Sequence, residues 1–190
     1  MLSLLGQLLL LIAICASLHH ILRPEKSADP FIRIVTAASQ ISPFLLLAVA
    51  FIIDAENLDL VVRYGGSELP LLYRISAVWS SRSGPLLLWA GIMGIVTFCM
   101  SRKLPETPLE IRIMHGWTSL LLILASLLDP FKVSSSLIGG GLNPLLQTDL
   151  MVIHPPIVFA FYSLCIATAS AALAGVIRGC LLYTSDAADE

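Results

Sequence analysis

Residues 156–177, PIVFAFYSLCIATASAALAGVI, form an apolar run without a single charged side chain. Such a run is long enough to cross the hydrocarbon core of a bilayer, which needs about 20 residues in an α-helix. Lipid offers the backbone no hydrogen-bond partner, so a single segment is stable there only as a helix. The run therefore predicts a membrane-spanning helix and indicates the class of the whole chain.

Four further apolar runs lie upstream, and the composition agrees with them: 57% of the 190 residues are hydrophobic and 13% are charged. The five runs predict an all-α, polytopic integral membrane protein with about five transmembrane helices and two external loops. Prolines or charged residues bound the runs. The predicted spans are Leu2–Leu22, Phe31–Ile53, Pro85–Met100, Leu109–Leu128 and Pro156–Ile177.

Lysine and arginine predict the orientation, because loops retained in the cytoplasm carry more of them. One side of the predicted spans holds Arg23, Lys26, Arg33, Arg102, Lys103, Arg112 and Arg178, and the other holds Arg63, Arg74, Arg82 and Lys132. The amino terminus and the loops 54–84 and 129–154 are therefore predicted to lie outside. The net charge of −2 gives no signal for a nucleic-acid partner.

Polar residues within the spans are few, and no Asp, Glu, Lys or Arg lies at the middle of any of them. This argues against an ion-coupled transporter, which usually needs such groups. Gln40, close to Pro43, is expected to form an interhelical hydrogen bond at a kink. Small residues at every fourth position predict a closely packed neighbour for the last span: Ser163, Ala167, Ala171 and Gly175.

Three of the four histidines are interpreted as solvated residues at the membrane surface. His19 and His20 lie at the end of the first span, and His115 lies near the start of the fourth. The remaining histidine, His154, follows the loop GLNPLLQ at residues 141–147 and begins the sequence His-Pro-Pro. Pro155 suits the first turn of a helix, so a helix is predicted to begin there. His154 is then either a helix-start residue or a metal ligand at the membrane surface.

Two tryptophans flank the third span. Trp79 ends the amphipathic segment 69–79, LPLLYRISAVW, which is expected to lie along the membrane surface. A short apolar stretch separates Trp89 from the preceding Gly84-Pro85. Both residues fit an interfacial aromatic belt, and both also fit a surface that contacts a ligand.

These motifs, in this order, resemble the amino-terminal part of the cytochrome c maturation protein F family: LPLLYRISAVW at 69–79, GPLLLW at 84–89, GLNPLLQ at 141–147 and HPP at 154–156. The resemblance implies a haem lyase of the bacterial inner membrane, with the amino terminus and the His154 loop on the periplasmic side. The family is expected to hold haem b there for covalent attachment to the C-x-x-C-H sites of apocytochrome c.

The resemblance also implies site residues and partners. His154 matches a family histidine that looks like an axial ligand of the haem iron, and Trp79, Trp89, Asn143, Pro155 and Pro156 match its outer-face surroundings. The implied partners are haem, a haem chaperone, apocytochrome c, other cytochrome c maturation membrane subunits and membrane lipid. No residue suggests a catalytic acid or base.

Departures from the family pattern limit these expectations. The residues Ser80 to Pro85 read SSRSGP, and the family's tryptophan-rich segment and second axial histidine have no counterpart. Residues 1–178 are therefore interpreted as the amino-terminal transmembrane region, and residues 179–190 as an unrelated or truncated tail. The chain alone is expected to hold an incomplete haem site and to be inactive. Alternatives are a non-catalytic short subunit of a split haem-handling complex or a piece of an unrelated permease.

Overall fold

Helices follow the apolar runs of the sequence. The computed structural model describes residues 1–23, 29–103, 108–135 and 139–179; Lys26, the side chain of Lys103 and the predicted tail beyond Gly179 lie outside them. Two short 3₁₀ segments, Val78–Ser80 and Pro144–Leu146, accompany the α-helices. The α-helices are α1 (Leu2–Leu22), α2 (Pro30–Ile52), α3 (Asp59–Tyr64), α4 (Leu71–Ala77), α5 (Ser83–Lys103), α6 (Pro108–Leu127) and α7 (Asp149–Ile177).

Four of these helices form a closed ring. Each of α1, α2, α5 and α6 packs against the next in that order, and α6 closes the ring against α1. Helix α7 packs from outside against α5 and α6. The apolar core between them includes Leu47, Phe51, Met93, Met114 and Leu122, each at most 2% exposed. Burial of apolar side chains at helix contacts thus holds the bundle together.

The all-α, polytopic prediction is confirmed, with one difference. Within the described residues, α1, α2, α5 and α7 are long and apolar enough to cross a membrane, whereas α6 is not among them. Helix α6 is 20 residues long but carries Glu110, Arg112 and His115 in its first half. Glu110 and His115 are buried in the bundle, so α6 remains a full member of the ring despite its polar side chains.

Two aspartates end helices as their positions predict. Asp54 after α2 and Asp129 after α6 have positive φ angles of 53° and 45°. Aspartate tolerates this left-handed conformation better than most non-glycine residues, because its short side chain can hydrogen-bond locally. The chain therefore leaves both helices sharply at the same end of the bundle, which we call the loop end and define by Ile52, Ser83, Leu127 and Asp149.

The two long loops pair with each other at the loop end. The Asp59 N–H donates to the Lys132 carbonyl and the Ser134 N–H donates to the Asn57 carbonyl, each at 3.0 Å. The ring of Phe131 lies so close to Gly6 that a Cβ there would overlap it. The prediction of two loops on one side is thus confirmed, while their location outside the membrane stays a prediction.

Arginines satisfy carbonyl groups where helices end. Arg112 Nε donates to the Ile21 carbonyl at 3.0 Å and Arg33 donates to the Ser101 carbonyl at 2.5 Å, both at the end opposite the loops. At the loop end, Arg74 donates to the Ile52 carbonyl at 3.1 Å. The last carbonyls of a helix have no partner within the helix, so these guanidinium groups supply it.

Candidate functional site

Helix α7 carries His154 inside its second turn and begins earlier than predicted. Its first residue is Asp149, and Thr148 caps it by accepting a hydrogen bond from the Met151 N–H at 3.3 Å. The prediction that a helix begins at Pro155 is therefore wrong. Pro155 and Pro156 lie within the helix, where they add no N–H donors. The Thr148 cap outweighs the preference of proline for the first turn.

Pro155 releases a carbonyl group that Trp79 takes. Proline cannot donate to the carbonyl four residues earlier, which here belongs to Met151. Trp79 Nε1 donates to that Met151 carbonyl at 2.7 Å and so joins the 3₁₀ segment after α4 to the start of α7. In α2, the Ser42 hydroxyl likewise donates to the Ser39 carbonyl, which Pro43 leaves without its helical donor, at 2.9 Å.

Replacement of Trp79 by phenylalanine tests this pairing. The change keeps an aromatic ring but removes the N–H, so we expect a loss of about 1 kcal/mol of stability. Pro155→Ala restores a backbone donor to the Met151 carbonyl, so Trp79→Phe should cost less in a Pro155→Ala background. Unfolding in a denaturing detergent, measured for the four proteins of this double-mutant cycle, gives the coupling free energy between Trp79 and Pro155. Equal costs in both backgrounds would contradict the pairing.

Trp89 packs on the inner side of α7. Its ring stacks on Phe159 with centroids 5.7 Å apart and lies at the same distance from Tyr162. Its buried Nε1 has no hydrogen-bond partner among the described residues. These contacts join α5 to α7 by aromatic packing, and contact of Trp89 with a ligand stays a prediction.

His154 lies on a different face of α7 from these contacts. Successive residues of an α-helix are rotated by about 100°, so His154 is about 140° away from Phe159 around the helix axis. The His154 side chain is exposed and forms no hydrogen bond within the part of the chain that the structure describes. Its face of α7 is apolar and open, with Leu150, Ile153, Ile157, Phe161 and Leu164 each more than half exposed.

The loop before α7 is ordered by its own side chains. The Asn143 carboxamide oxygen accepts a hydrogen bond from the Leu145 N–H at 3.0 Å, and Gln147 Nε2 donates to the Leu142 carbonyl at 3.2 Å. Leu145, at the tip of this turn, is 85% exposed. Asn143 therefore shapes the turn that leads to α7. The structure thus places His154 beside an ordered turn. Trp79 contacts the Met151 carbonyl, about one helical turn before His154, whereas Trp89 contacts Phe159 and Tyr162 further along α7.

A buried polar cluster that the sequence analysis missed lies inside the ring. His20 and His115 are 1% and 5% exposed, and their rings stack with centroids 4.4 Å apart. The interpretation of both as solvated surface residues is therefore wrong. His20 Nε2 is 2.9 Å from the Thr36 hydroxyl oxygen, which joins α1 to α2. The signal was present as polar residues at helical spacing, three or four apart: Ser17 and His20, Thr36 and Gln40, His115 and Ser119.

Gln40 has the interhelical hydrogen bonds that were expected of it. Its Nε2 donates to the Ser17 hydroxyl oxygen at 2.8 Å and lies 3.1 Å from His115 Nδ1. Helices α1, α2 and α6 therefore meet at one carboxamide. The partners come from distant parts of the chain, which is why spacing alone could not identify them.

The small-residue stripe of α7 exists but follows a shifted register. Its buried members are Ser163, Ala167, Ser170 and Ala174, which face the ring. Ala171 is exposed, and a Cβ added at Gly175 would meet no atom within 4 Å. A strict step of four residues drifts around a helix with 3.6 residues per turn, so the contact moves back by one position after Ala167.

Among the described residues, no group of three or more His, Cys, Asp and Glu side chains is arranged to hold a metal ion. A metal at His154 would therefore need further ligands from a porphyrin or from other residues.

Comparison with known proteins gives relatives that are named cytochrome c-type biogenesis proteins. The chain is 35% identical to the cytochrome c-type biogenesis protein CcmF of Pseudomonas fluorescens over 90% of its own residues and 29% of that protein. Against the CcmF proteins of Pseudomonas aeruginosa and Escherichia coli the identities are 38% and 32%, over 70% and 63% of the chain. The chain spans less than a third of each relative. No family model and no solved structure matches it.

Proposed function

The chain belongs to the CcmF family of cytochrome c-type biogenesis proteins, and from that premise we propose that it forms part of a membrane haem lyase. In this role it holds haem at the periplasmic face of a bacterial inner membrane for attachment to apocytochrome c. The remaining part of the site comes from residues that this chain does not contain.

The observation that carries the proposal is the environment of His154. Its imidazole is exposed at the loop end and lies among exposed apolar side chains of α7, including Ile153 and Ile157. A neutral imidazole ligates haem iron, and an apolar surface suits the faces and edges of a porphyrin. The residues present therefore fit one side of a haem site.

The chain's own residues would bind and orient haem rather than perform proton transfer. His154 would supply one ligand of the haem iron, and the exposed face of α7 would exclude water beside it. Haem supplies the reactive vinyl groups, to which the two thiols of an apocytochrome add. Ligation at His154 would hold the porphyrin in one orientation and so replace an encounter in solution by oriented proximity.

The arrangement of charge supports the proposed orientation. Arg23, Arg33, Arg102, Arg112 and Arg178 lie at the end opposite the loops, where positive charge favours the cytoplasm. His154 and its ordered turn would then face the periplasm. The proposed partners at that face are a haem chaperone, apocytochrome c and other cytochrome c maturation membrane subunits.

The proposal is tested by the haem absorption spectrum of the chain produced together with the remainder of a CcmF protein. We expect His154→Ala to abolish or strongly reduce the absorption of haem bound at this position, because an alanine cannot coordinate iron. His154 is exposed, so its replacement should leave the fold intact. Added imidazole should restore part of the haem spectrum.

His19→Ala is the matched control, because it removes an imidazole at the opposite end of the bundle. We expect it to leave haem content unchanged. An unaltered haem spectrum in the His154→Ala variant would overturn the assignment of His154 as a ligand, whatever the result for the His19→Ala variant.

A further inference from the structure

The buried polar cluster contains one hydrogen-bonding group that the protein does not satisfy. Gln40 is 1% exposed, and its Oε1 has no partner among the described residues. A buried carbonyl oxygen without a partner is unfavourable, and most such groups bind protein or an ordered water. The cost is felt fully here because the surrounding lipid supplies no alternative partner.

The other hydrogen bonds of the cluster show that moving protons within it does not give every atom of the Gln40 carboxamide a partner. The Ser17 hydroxyl donates to the Ala13 carbonyl at 2.9 Å, so its oxygen accepts from Gln40 Nε2. With Gln40 Nε2 as the donor 3.1 Å from His115 Nδ1, that ring nitrogen accepts, and the proton of the neutral ring is on Nε2. Rotating the carboxamide by half a turn exchanges its two ends but leaves one end without a partner.

The unsatisfied oxygen lies beside a small polar cavity. An ideal Cβ at Gly94 would be 2.5 Å from Gln40 Oε1, and both residues line the cavity together with His20, Thr97 and His115. The space open to the centre of a water-sized sphere is about 10 Å³. A single water needs roughly 10–15 Å³ by this measure and two to four polar partners.

The walls of the cavity provide partners of both kinds. The Thr97 hydroxyl donates to the Met93 carbonyl at 2.7 Å, so its oxygen retains lone pairs that can accept. The assigned tautomer of His115 leaves its Nε2 proton as a donor. Gln40 Oε1 is an acceptor. These groups belong to α5, α6 and α2, respectively. Ser17, which accepts a hydrogen bond from Gln40, belongs to α1.

We propose that one water molecule is bound inside the bundle as a ligand of the Gln40 carboxamide. It donates a proton to Gln40 Oε1 and uses its remaining hydrogen-bonding capacity on the polar side chains around it. Through this water, Gln40 connects all four helices of the ring. The absence of a side chain at Gly94 leaves room for the Gln40 carboxamide that holds the water, since an ideal Cβ there would be 2.5 Å from Gln40 Oε1.

Hydroxyl-radical footprinting by X-ray radiolysis, read by mass spectrometry on the full chain in a membrane mimetic, tests the proposal. A bound water generates radicals beside it, so we expect His115 to be oxidised although it is 5% exposed. Gly94→Ala should reduce this oxidation several-fold, because the added methyl group would overlap Gln40 Oε1 and displace the carboxamide that holds the water. Gly116→Ala is the matched control, since its Cβ meets nothing within 4 Å, and it should change nothing.

Gln40→Leu provides a second variant in case Gly94→Ala does not fold. It keeps an apolar side chain of moderate size but removes the oxygen that holds the water, so oxidation of His115 should again fall. The proposal is wrong if His115 is not oxidised in the unmodified chain, or if oxidation persists unchanged in a folded variant of either kind.

Discussion

Replacing Gly84 with alanine is expected to destabilise the chain by about 3 kcal/mol, as severe overpacking in a buried site does. A Cβ at Gly84 would overlap the backbone carbonyl of Val78 and lie 2.9 Å from Ser81 Oγ. The Gly84 N–H donates to Ser81 Oγ at 2.9 Å, and the Ser81 hydroxyl donates to the Val78 carbonyl at 3.0 Å. The obstacle is backbone held by its own hydrogen bonds, so it cannot rotate away.

Unfolding in a denaturing detergent measures this loss, and two other glycines serve as controls. A Cβ at Gly116 or at Gly175 would meet no atom within 4 Å. Alanine at these helical positions should stabilise by about 0.5–1 kcal/mol, because glycine loses more backbone entropy in a helix. If Gly84→Ala behaves like the two controls, the tight turn between the 3₁₀ segment and α5 is not as described.

Replacing Arg178 with methionine is expected to destabilise the chain by about 2–3 kcal/mol, by leaving a buried carboxylate unpaired. Arg178 binds Glu110 through both guanidinium NH₂ groups, with N···O distances of 2.6 and 2.9 Å. The side chain of Glu110 is 9% exposed and that of Arg178 is 40% exposed. Because Arg178 is partly open to solvent, the expected loss is smaller than for a fully buried pair.

The double variant Glu110→Leu with Arg178→Met separates the pair from the packing. Removing both charges leaves no uncompensated carboxylate, so the double variant should be more stable than Arg178→Met alone. Unfolding in the same denaturing detergent measures the stability of both variants. A double variant less stable than Arg178→Met would show that an unpaired carboxylate at Glu110 is not what destabilises the single variant.

Local features of the sequence were sufficient for most of the helix assignment. The span predicted as Phe31–Ile53 is observed as Pro30–Ile52, and Leu109–Leu128 is observed as Pro108–Leu127. Each depends on a run of apolar side chains and on a breaker next to it. The main error in a boundary is at α7, which begins at Asp149 after the Thr148 cap rather than at Pro155. A cap that uses one hydroxyl is a weaker sequence signal than two prolines.

The residues proposed for the candidate site stay a prediction, and the structure adds where each of them lies. The sequence identified His154, and the structure shows it exposed on an apolar face of α7. Trp79 and Trp89 were grouped with it; Trp79 contacts α7 about one turn before His154, whereas Trp89 contacts Phe159 further along the helix. The side of a helix on which a side chain lies depends on which neighbours cover it. This cannot be inferred from the position of a motif within one segment.

The sequence by itself determined that this chain is a helical membrane protein, where its helices run and which family it resembles. These properties follow from runs of adjacent residues, since each helix satisfies its own backbone and needs only apolar side chains to enter lipid. Only the tertiary structure decided that His20, Gln40 and His115 meet inside the ring and that His154 faces away from it. Contacts between distant segments depend on how helices rotate and pack against each other, and no local pattern specifies that rotation.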